Sequence, residues 1–279
     1  MLLGEWFVRL LVVYSTTIGT WWGLNDAAHS CWRCYLNEDA GMYQEHLDGR
    51  QEEFAAGCIY LLPHYMPIRA GCRLRRVRHS YIHFVVMGLP QVVLQEMFNQ
   101  RMGFPTRPDL AERMRHICQP VAPEDPAERY TRECEVKSLV YELLAEYLRA
   151  VPNEQRARSL RLAKLLEPVL PAIQHIDTYL HDRLRVADLA SLCFMSEDYF
   201  IRQFHRLVGR TPIHYIQRQR VERAAQQLLF SNRSIDQIAE ETGFGNRYNF
   251  SRVFKQHTQT SPALYRRTGT LYKSPDDRA

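Results

Sequence analysis

Long apolar runs and a cysteine framework are both missing from this chain of 279 residues. A membrane-spanning helix needs about 18 or more uncharged apolar residues. The apolar N-terminus does not provide them, because Glu5 and Arg9 interrupt it early. Seven cysteines are too few for a disulfide scaffold at this length, and an odd number leaves at least one thiol unpaired. We therefore expect buried strands at the N-terminus and a protein of the reducing cytoplasm.

Signatures of catalysis are also lacking. The sequence contains no glycine-rich phosphate loop, no Gly-x-Ser-x-Gly elbow, and no His-x-His pair followed by the glutamate that a cupin-type metalloenzyme would use. Cys31 and Cys34 resemble a redox or zinc pair, but residues three apart on a strand point to opposite faces. No enzyme activity, metal or cofactor is predicted. A metalloenzyme with a helical accessory domain and a thiol-based redox regulator remain the alternatives.

The positive charge is confined to one part of the chain. The composition, 46% hydrophobic and 24% charged, is typical of a globular protein with packed cores. Residues 1–167 contain 20 Lys and Arg against 20 Asp and Glu, whereas residues 168–279 contain 16 against 11. The whole excess of +5 thus lies in the last two-fifths. This split suggests a sensor or catalytic part joined to a part that meets a polyanion.

Hydrophobic patterning divides the chain into a strand-rich front and a helical remainder. Runs such as Ser80–Val86, separated by turn signals, predict short strands and a sandwich or small barrel over the first hundred residues. Apolar residues at helical spacing from Val136 to Val151, closed by Pro152, predict a helix. We expect an α+β protein with segments at 1–95, 96–167 and 168–279.

The basic part contains an internal repeat. Val186–Ala190 matches Ile235–Ala239 at an offset of 49 residues, and one extra residue then makes the offset 50. The pairs at the second offset are Phe200 and Phe250, Arg202 and Arg252, Phe204 and Phe254, Thr211-Pro212 and Ser261-Pro262, and Tyr215 and Tyr265. Each copy predicts a short helix, a tight turn and a second helix. Between the copies, Thr211 and Pro212 begin a predicted helix of about 18 residues, or roughly 27 Å, which would hold the modules at a fixed separation.

In each copy the second helix has one face that we expect to be buried in the core and an opposite face that we expect to point outward. The buried stripe consists of Phe200, Phe204 and Leu207 in the first copy and of Phe250 and Phe254 in the second. The outward faces carry Asp198, Ile201, Arg202 and His205 in the first copy, and Tyr248, Ser251, Arg252 and Lys255 in the second. Ser196 is expected to cap the first of these helices, and Gly243 to allow the second turn. This is the arrangement of helix-turn-helix DNA recognition.

These motifs resemble the AraC/XylS family of bacterial transcription regulators over Ala172–Arg267. The matching segments are Arg220–Leu229, Ile235–Ala239, Gly243-Phe244, Phe250–Phe254 and Ser261–Arg266. The resemblance implies that duplex DNA is a partner. The expected DNA-contacting residues are Ser196, Asp198, Ile201, Arg202, His205, Arg247, Tyr248, Asn249, Ser251, Arg252 and Lys255. Ile201 departs from a position that is commonly polar and would favour thymine methyls. Gln259 stands where glycine is usual, and we expect that change to matter little.

The front segment is similar to the small cupin-like barrel of the family's sugar-sensing members, in Asp48–Arg50, Ala56–Pro63 and Tyr81–Phe84. The resemblance implies a small polar effector such as a sugar, and strand alternation places polar and aromatic groups on shared faces. The expected effector-binding residues are His29, Arg33, Tyr35, Tyr81 and His83. The alternative is that this face is exposed to solvent or part of an interface.

The sequence therefore predicts a cytoplasmic transcription regulator, an activator rather than a repressor, with RNA polymerase as a further partner. The Val136–Val151 stripe is either core packing or a two-fold interface. The resemblance favours a homodimer, with Leu143 and Leu144 at the interface within a dimerisation region at 96–167. The fragment 168–279 is expected to bind duplex DNA alone, because it holds both modules and all the excess charge.

Overall fold

The computed structural model describes residues 6–26, 31–46, 48–64, 68–105, 107–119 and 126–269. The chain forms two compact units. The sheet domain is built mainly from Val8–Val85 and Asn99–Ala150, and the helical domain mainly from Val86–Phe98 and Val151–Gly269. A segment from the front of the chain thus belongs to the helical domain, and the middle region is divided between the two.

Two sheets make up the framework of the sheet domain. The strands are β1 (Phe7–Ile18), β2 (Gly23–Asp26), β3 (Trp32–Asn37), β4 (Met42–Glu45), β5 (Gln51–Glu53), β6 (Ile59–Leu62), β7 (Ile68–Cys72), β8 (Val77–Met87) and β9 (Met102–Phe104). One sheet has the order β1-β8-β3-β6-β9 and the other β2-β7-β4-β5. β3 pairs antiparallel with both β6 and β8, and β7 with both β2 and β4.

The helices follow and interrupt these strands. They are α1 (Gln91–Met97), α2 (Pro108–Ile117), α3 (Pro126–Ala150), α4 (Asn153–Leu166), α5 (Leu170–Thr178), α6 (Val186–Leu192), α7 (Glu197–Val208), α8 (Pro212–Phe230), α9 (Ile235–Glu241), α10 (Arg247–Thr258) and α11 (Pro262–Gly269). A short 3-10 turn at Glu167–Val169 joins α4 to α5. Over the described ranges, no helix is both long and apolar enough to cross a membrane. The predicted α+β class, with a sheet domain before a helical domain, is confirmed.

The two sheets pack face to face around a common core. Tyr35 on β3 and Leu62 on β6 share this core with Met42 on β4 and Cys72 on β7. Because side chains alternate along a strand, Cys34 lies on the opposite face of β3. There its Sγ donates to Met114 Sδ on α2 at 3.7 Å. The five-stranded sheet is therefore buried on both sides at β3.

The apolar stripe of α3 belongs to the core of the chain itself. The buried residues are Val136, Leu139, Val140, Leu143, Leu144 and Tyr147. Leu143 and Leu144 have 0% of their surface exposed without any partner subunit. The expectation that these two leucines lie at a two-fold interface is therefore wrong, and the core-packing alternative is confirmed. The polar edge of α3 is held by Arg107, whose guanidinium contacts Glu142 at 2.5 Å and Glu146 at 2.9 Å.

Among the residues that the structure describes, the helical domain has a separate core for each of the two modules. The first core includes Ile176, Leu189, Phe200 and Phe204, and the second includes Ile238, Phe244, Phe250 and Phe254. The predicted phenylalanine stripes of α7 and α10 are thus confirmed. Val93 of α1 and Leu166 of α4 also belong to the first core. This module therefore depends on residues that precede Pro168.

Candidate functional sites

The two modules match in length, as the repeat predicts. α6 and α9 have seven residues each, and α7 and α10 have twelve each. The turn before α10 is one residue longer than the turn before α7, which is why the offset changes from 49 to 50. Gly243 adopts the expected left-handed conformation in the longer turn, with φ +79°. The two modules therefore present α7 and α10 in equivalent ways.

Capping differs between the modules. Ser196 occupies the N-cap position of α7, but its side chain makes no capping hydrogen bond, so the expected role of its hydroxyl is wrong. Asn246 caps α10, because its Oδ1 accepts from the Asn249 N–H at 2.9 Å. Ser234 and Gln237 form a reciprocal capping box at α9, with distances of 2.8 and 3.1 Å. Each such cap stabilises a helix start by about 1 kcal/mol.

The outward face of α7 is accessible, as predicted. Phe200 and Phe204 are fully buried. Asp198, Arg202 and His205, on the other side of the helix, are exposed. Ser196 is exposed and Ile201 is half-buried. The structure therefore gathers the predicted DNA-contacting residues of the first module on one accessible face.

The outward face of α10 has partners within the chain. Tyr248 is 81% exposed, and Arg252 and Lys255 are also exposed. Asn249 is half-buried, and its Nδ2 donates to the Phe244 carbonyl at 3.2 Å while its Oδ1 accepts from Arg252 Nη2 at 3.1 Å. Asn249 is thus placed to orient the Arg252 guanidinium.

Arg247 and Ser251 complete the predicted set on α10. Arg247 is exposed, and its Nη1 contacts Asp236 Oδ2 of α9 at 3.1 Å. Ser251 is half-buried. Contact of the Arg247 guanidinium with another anion would compete with this exposed ion pair, which is a weak interaction in water.

Four of the five predicted effector-binding residues lie side by side on β3 and β8. In the antiparallel register Arg33 is opposite His83, and Tyr35 is opposite Tyr81. The ring centroids of Tyr81 and His83 are 4.9 Å apart, and those of Tyr35 and His83 are 6.0 Å apart. Tyr35 belongs to the core between the sheets and Tyr81 packs against it, so this face points inward. His29 lies outside the described residues.

The same inward face carries a histidine that burial keeps neutral. His79 on β8 lies fully within the domain, and burial lowers its pKa to about 3. Its Nδ1 is 2.7 Å from Asn37 Oδ1, and its ring is 4.8 Å from that of Tyr35. The inner surface of β3 and β8 thus combines the Arg33 guanidinium with the neutral imidazole of His79 and with the phenol groups of Tyr35 and Tyr81. Such groups can donate and accept hydrogen bonds to a polar ligand.

The Cys34 thiol of the Cys31–Cys34 pair has little thiolate character. Cys31 and Cys34 are both buried. Burial raises the pKa of the Cys34 thiol well above its ordinary value, which opposes formation of the reactive thiolate. Among the residues that the structure describes, no three His, Cys, Asp or Glu side chains are grouped to hold a metal ion.

The match to a family model spans both modules of the helical domain. The helix-turn-helix domain model aligns with residues 189–268, from α6 to α11. Residues 189–268 form a helix-turn-helix domain of the AraC type. The repeat, the equal lengths of α7 and α10, and the separate core behind each of them are the structural basis of this AraC-type domain.

Relatives match this chain over a limited length. The chain is 34% identical over 88 residues to the MmsAB operon regulatory protein of Pseudomonas aeruginosa, which is 32% of this chain and 29% of that protein. It is 36% identical over 106 residues to the HTH-type transcriptional regulator AlkR of Acinetobacter baylyi, which is 38% of this chain and 35% of that protein. The chain thus spans about a third of the length of these relatives.

The fold extends beyond the AraC-type domain. The crystal structure of ToxT from Vibrio cholerae O395 superimposes on 94% of this chain and 98% of that chain, with a TM-score of 0.50 and 11% identity. At this identity the likeness concerns the fold alone. It includes the order of a sheet domain followed by a helical domain.

Two residues of the AraC-type domain were not anticipated from the sequence. Phe194 is 98% exposed with φ +55°, at the position equivalent to Gly243 by the offset of 49. An apolar residue in a turn position was the available signal. Arg220 lies in a motif that carried the family resemblance, but the pattern gave its side chain no role. In the structure its guanidinium donates hydrogen bonds to both modules.

Proposed function

We propose that the chain is a transcription regulator that binds duplex DNA through α7 and α10 of the AraC-type domain. The observation that carries this proposal is the pair Arg202 and Arg252. These exposed arginines occupy equivalent positions on two helices of equal length, each backed by buried phenylalanines. An arginine can donate two parallel N–H bonds to O6 and N7 of guanine, which provides about 1–3 kcal/mol of discrimination.

The geometry of α8 supports recognition of two successive major grooves by one chain. α8 has 19 residues, which corresponds to a length of about 28 Å. Its start is fixed by Pro212 and by Thr211, whose Oγ1 accepts from the His214 N–H at 3.4 Å. Successive turns of the major groove lie about 34 Å apart. A stiff helix of this length suits the spacing that two recognition helices need.

The sheet domain is the proposed sensor. A small polar effector, such as a sugar, would bind on the inward face of β3 and β8 beside Arg33, Tyr35, Tyr81 and His83. The support for this assignment is the register that brings these residues together and the inward orientation of the face. A few placed polar groups among aromatic side chains are typical of small-molecule sites.

The remaining parts of the proposal rest on the family resemblance. The regulator acts in the cytoplasm as an activator, forms a homodimer and contacts RNA polymerase. Because Leu143 and Leu144 are buried within the chain, the dimer interface must use other, exposed surface.

Selection from a pool of random duplexes tests DNA recognition by the full chain. We expect two enriched segments about 10 bp apart, and an affinity that falls steeply with salt because phosphate contacts release counterions. The control is the double variant Arg202→Ala/Arg252→Ala, which should retain salt-dependent binding but lose most sequence preference. Salt-insensitive binding or no enrichment would contradict the proposed function.

The full chain suits this test better than the fragment 168–279. That fragment lacks Val93 and Leu166, which are both buried in the first core. Removing two buried aliphatic side chains from a core costs several kcal/mol, on the order of 2–5 kcal/mol for each large side chain. We therefore expect the fragment to be much less stable than the helical domain of the full chain.

A further inference from the structure

Arg220 lies where the two cores of the helical domain meet along α8. Tyr215 and Ile216, which precede it on α8, belong to the first core. Val221 and Ala224, which follow it, belong to the second. The side chain of Arg220 is half-buried at this boundary. It is therefore positioned to contact both modules at once.

The guanidinium of Arg220 donates to three backbone carbonyls on two sides of the boundary. Nε donates to the Leu180 carbonyl at 3.0 Å, and Nη2 donates to the Asp182 carbonyl at 2.7 Å. Both acceptors lie in the loop between α5 and α6, and Leu180 is part of the first core. Nη1 donates to the Gly243 carbonyl at 2.7 Å, in the turn between α9 and α10. A planar guanidinium holds its N–H groups in a fixed fork, so these bonds fix the loop relative to the turn.

The absence of a side chain at Gly243 leaves room for the Arg220 guanidinium. A Cβ atom at position 243 would lie 2.8 Å from Arg220 Cζ and 2.9 Å from both Nε and Nη2, so a side chain would displace the guanidinium. The equivalent residue of the first module, Phe194, adopts a similar left-handed backbone, but its side chain is 98% exposed. A left-handed turn in this position thus does not itself require glycine, whereas the approach of Arg220 does.

The bonded turn sets the start of the second recognition helix. Gly243 is followed by Phe244, whose ring is buried in the second core 5.2 Å from that of Phe250 on α10. α10 begins at Arg247, four residues after Gly243. A displacement of the Gly243 carbonyl would therefore move the N-terminal end of α10, which is the end that approaches base edges in helix-turn-helix recognition.

We propose that Arg220 is a positioning residue that fixes the orientation of the two modules. It thereby fixes the spacing that the chain accepts between the two DNA half-sites, which are the segments contacted by α7 and by α10. This inference rests on the proposed function. The hydrogen bonds from Arg220 to the Leu180, Asp182 and Gly243 carbonyls are its structural basis. Arg220 itself needs no contact with DNA in this role.

The proposal predicts a steep dependence of affinity on half-site spacing. Inserting one base pair between half-sites rotates them by about 35° and separates them by about 3.4 Å further. Two modules held rigidly can engage only one spacing well, whereas two modules joined loosely tolerate several at lower peak affinity. Spacing tolerance is therefore the property that distinguishes positioning from general stabilisation.

The test measures affinity for a spacing series built on the duplex that the wild-type chain selects. The series carries insertions and deletions of one to three base pairs, together with a duplex in which one half-site is scrambled. For the wild type we expect about a tenfold loss for each single-base-pair change. For Arg220→Ala we expect a loss of about threefold or less across the same series, with single-half-site affinity within about twofold of wild type. Arg220→Lys should also broaden the profile, because one compact ammonium cannot span all three carbonyls.

A glycine pair provides an independent variant with its own control. Gly243→Ala keeps the arginine but places a methyl group against it, and should broaden the spacing profile as Arg220→Ala does. Gly245→Ala alters a glycine of the same turn with nearly the same φ, +76°, where an added Cβ would meet nothing within 4 Å. It carries the same backbone strain and should keep the wild-type spacing profile. Arg218→Ala, which removes a guanidinium paired with Glu222 on the same helix, controls for the lost charge.

The outcomes separate this inference from the proposed function. If the wild type selects no duplex, both fail. If the wild type shows two half-sites but Arg220→Ala, Arg220→Lys and Gly243→Ala all keep its spacing profile, the positioning role is overturned while DNA recognition stands. A lower melting temperature with an unchanged profile also overturns it, because Arg220 would then only stabilise the fold. Should Arg220→Ala fail to fold, Gly243→Ala and Arg220→Lys decide the question.

Discussion

Gly209 and Gln259 occupy equivalent C-cap positions, 50 residues apart, and both adopt the left-handed conformation. Gly209 ends α7 with φ 78° and ψ 5°, and Gln259 ends α10 with φ 59° and ψ 10°. Each donates its backbone N–H to the carbonyl four residues earlier, at 2.9 Å in both cases. α7 therefore ends on a glycine, which adopts the left-handed conformation without steric cost, whereas α10 ends in the same conformation on a residue that has a Cβ atom.

Gln259→Gly should stabilise the helical domain. A non-glycine residue in the left-handed region carries a steric cost of about 1–2 kcal/mol. The Gln259 Nε2 recovers part of this by donating to the Gln256 carbonyl at 3.0 Å. We expect a net gain of about 0.5–1 kcal/mol, seen as an increase of roughly 2 °C in melting temperature by calorimetry. Gly209→Ala is the converse control and should destabilise the protein. An unchanged or lower melting temperature for Gln259→Gly would show that the glutamine side chain compensates fully, as the sequence-based expectation of little effect implies.

The modules of the AraC-type domain could be predicted because their signals are local or repeated. The phenylalanine stripes, the one-residue change of offset and the Gly243 turn are all visible within about 50 residues of sequence, and the structure confirms them. Helical spacing alone could not reveal what covers the α3 stripe, because a core and an interface use the same apolar residues. The burial of Leu143 depends on the tertiary fold.

Contacts between residues that are far apart in the sequence could not be predicted either. Val93 joins a core formed mostly by residues beyond 160, although in sequence it lies between β8 and β9 of the sheet domain. Arg220 bonds carbonyls 40 and 23 residues away. Backbone acceptors have no sequence signature, so such a role for an arginine is not visible in a pattern. By contrast, strand alternation was enough to place Arg33 and Tyr35 on one face of their strand, and Tyr81 and His83 on one face of another. The pairing of β3 with β8, which brings these two pairs together, is visible only in the structure.

Arg202→Ala and Arg252→Ala should each alter base preference in a different half-site. If each guanidinium bonds a guanine edge, its removal costs about 1–3 kcal/mol on the preferred sequence and little on sequences that lack that guanine. The measurement is the affinity of each variant for the selected duplex and for duplexes changed at one base pair. Equal weakening on every sequence would indicate phosphate contacts instead. Asn249→Ala should weaken the Arg252 preference in part, since Asn249 Oδ1 accepts from Arg252 Nη2.

Leu143→Ala should unfold the sheet domain more readily and leave the association state unchanged. Truncation of a fully buried leucine costs about 2–5 kcal/mol, because it removes packing and leaves a cavity. Tyr130→Ala on the same helix removes a side chain that is 68% exposed and should cost little. Trp21, Trp22 and Trp32 belong to the sheet domain and report its unfolding by fluorescence. Sedimentation would contradict this interpretation if Leu143→Ala converted a dimer into a folded monomer of wild-type stability.

Lowering the pH should destabilise the sheet domain through His79. Burial lowers the pKa of this histidine from 6.5 to about 3, whereas the unfolded chain binds the proton near 6.5. The stabilising contribution is therefore complete above pH 6.5 and is lost progressively as the pH falls from 6.5 towards 3. Each pH unit in that window lowers the free energy of unfolding by about 1.4 kcal/mol, or roughly 2 kcal/mol between pH 6.5 and 5.

The matched variant is His79→Gln, which keeps a donor for Asn37 Oδ1 but cannot titrate. Denaturant unfolding followed by tryptophan fluorescence at pH 7, 6 and 5 should show a steeper loss of stability for the wild type than for His79→Gln. The difference between the two proteins isolates this residue, since the other titrating groups are common to both. Parallel pH profiles would mean that His79 is protonated readily in the folded domain, so that water or a rearranged β8 reaches its ring.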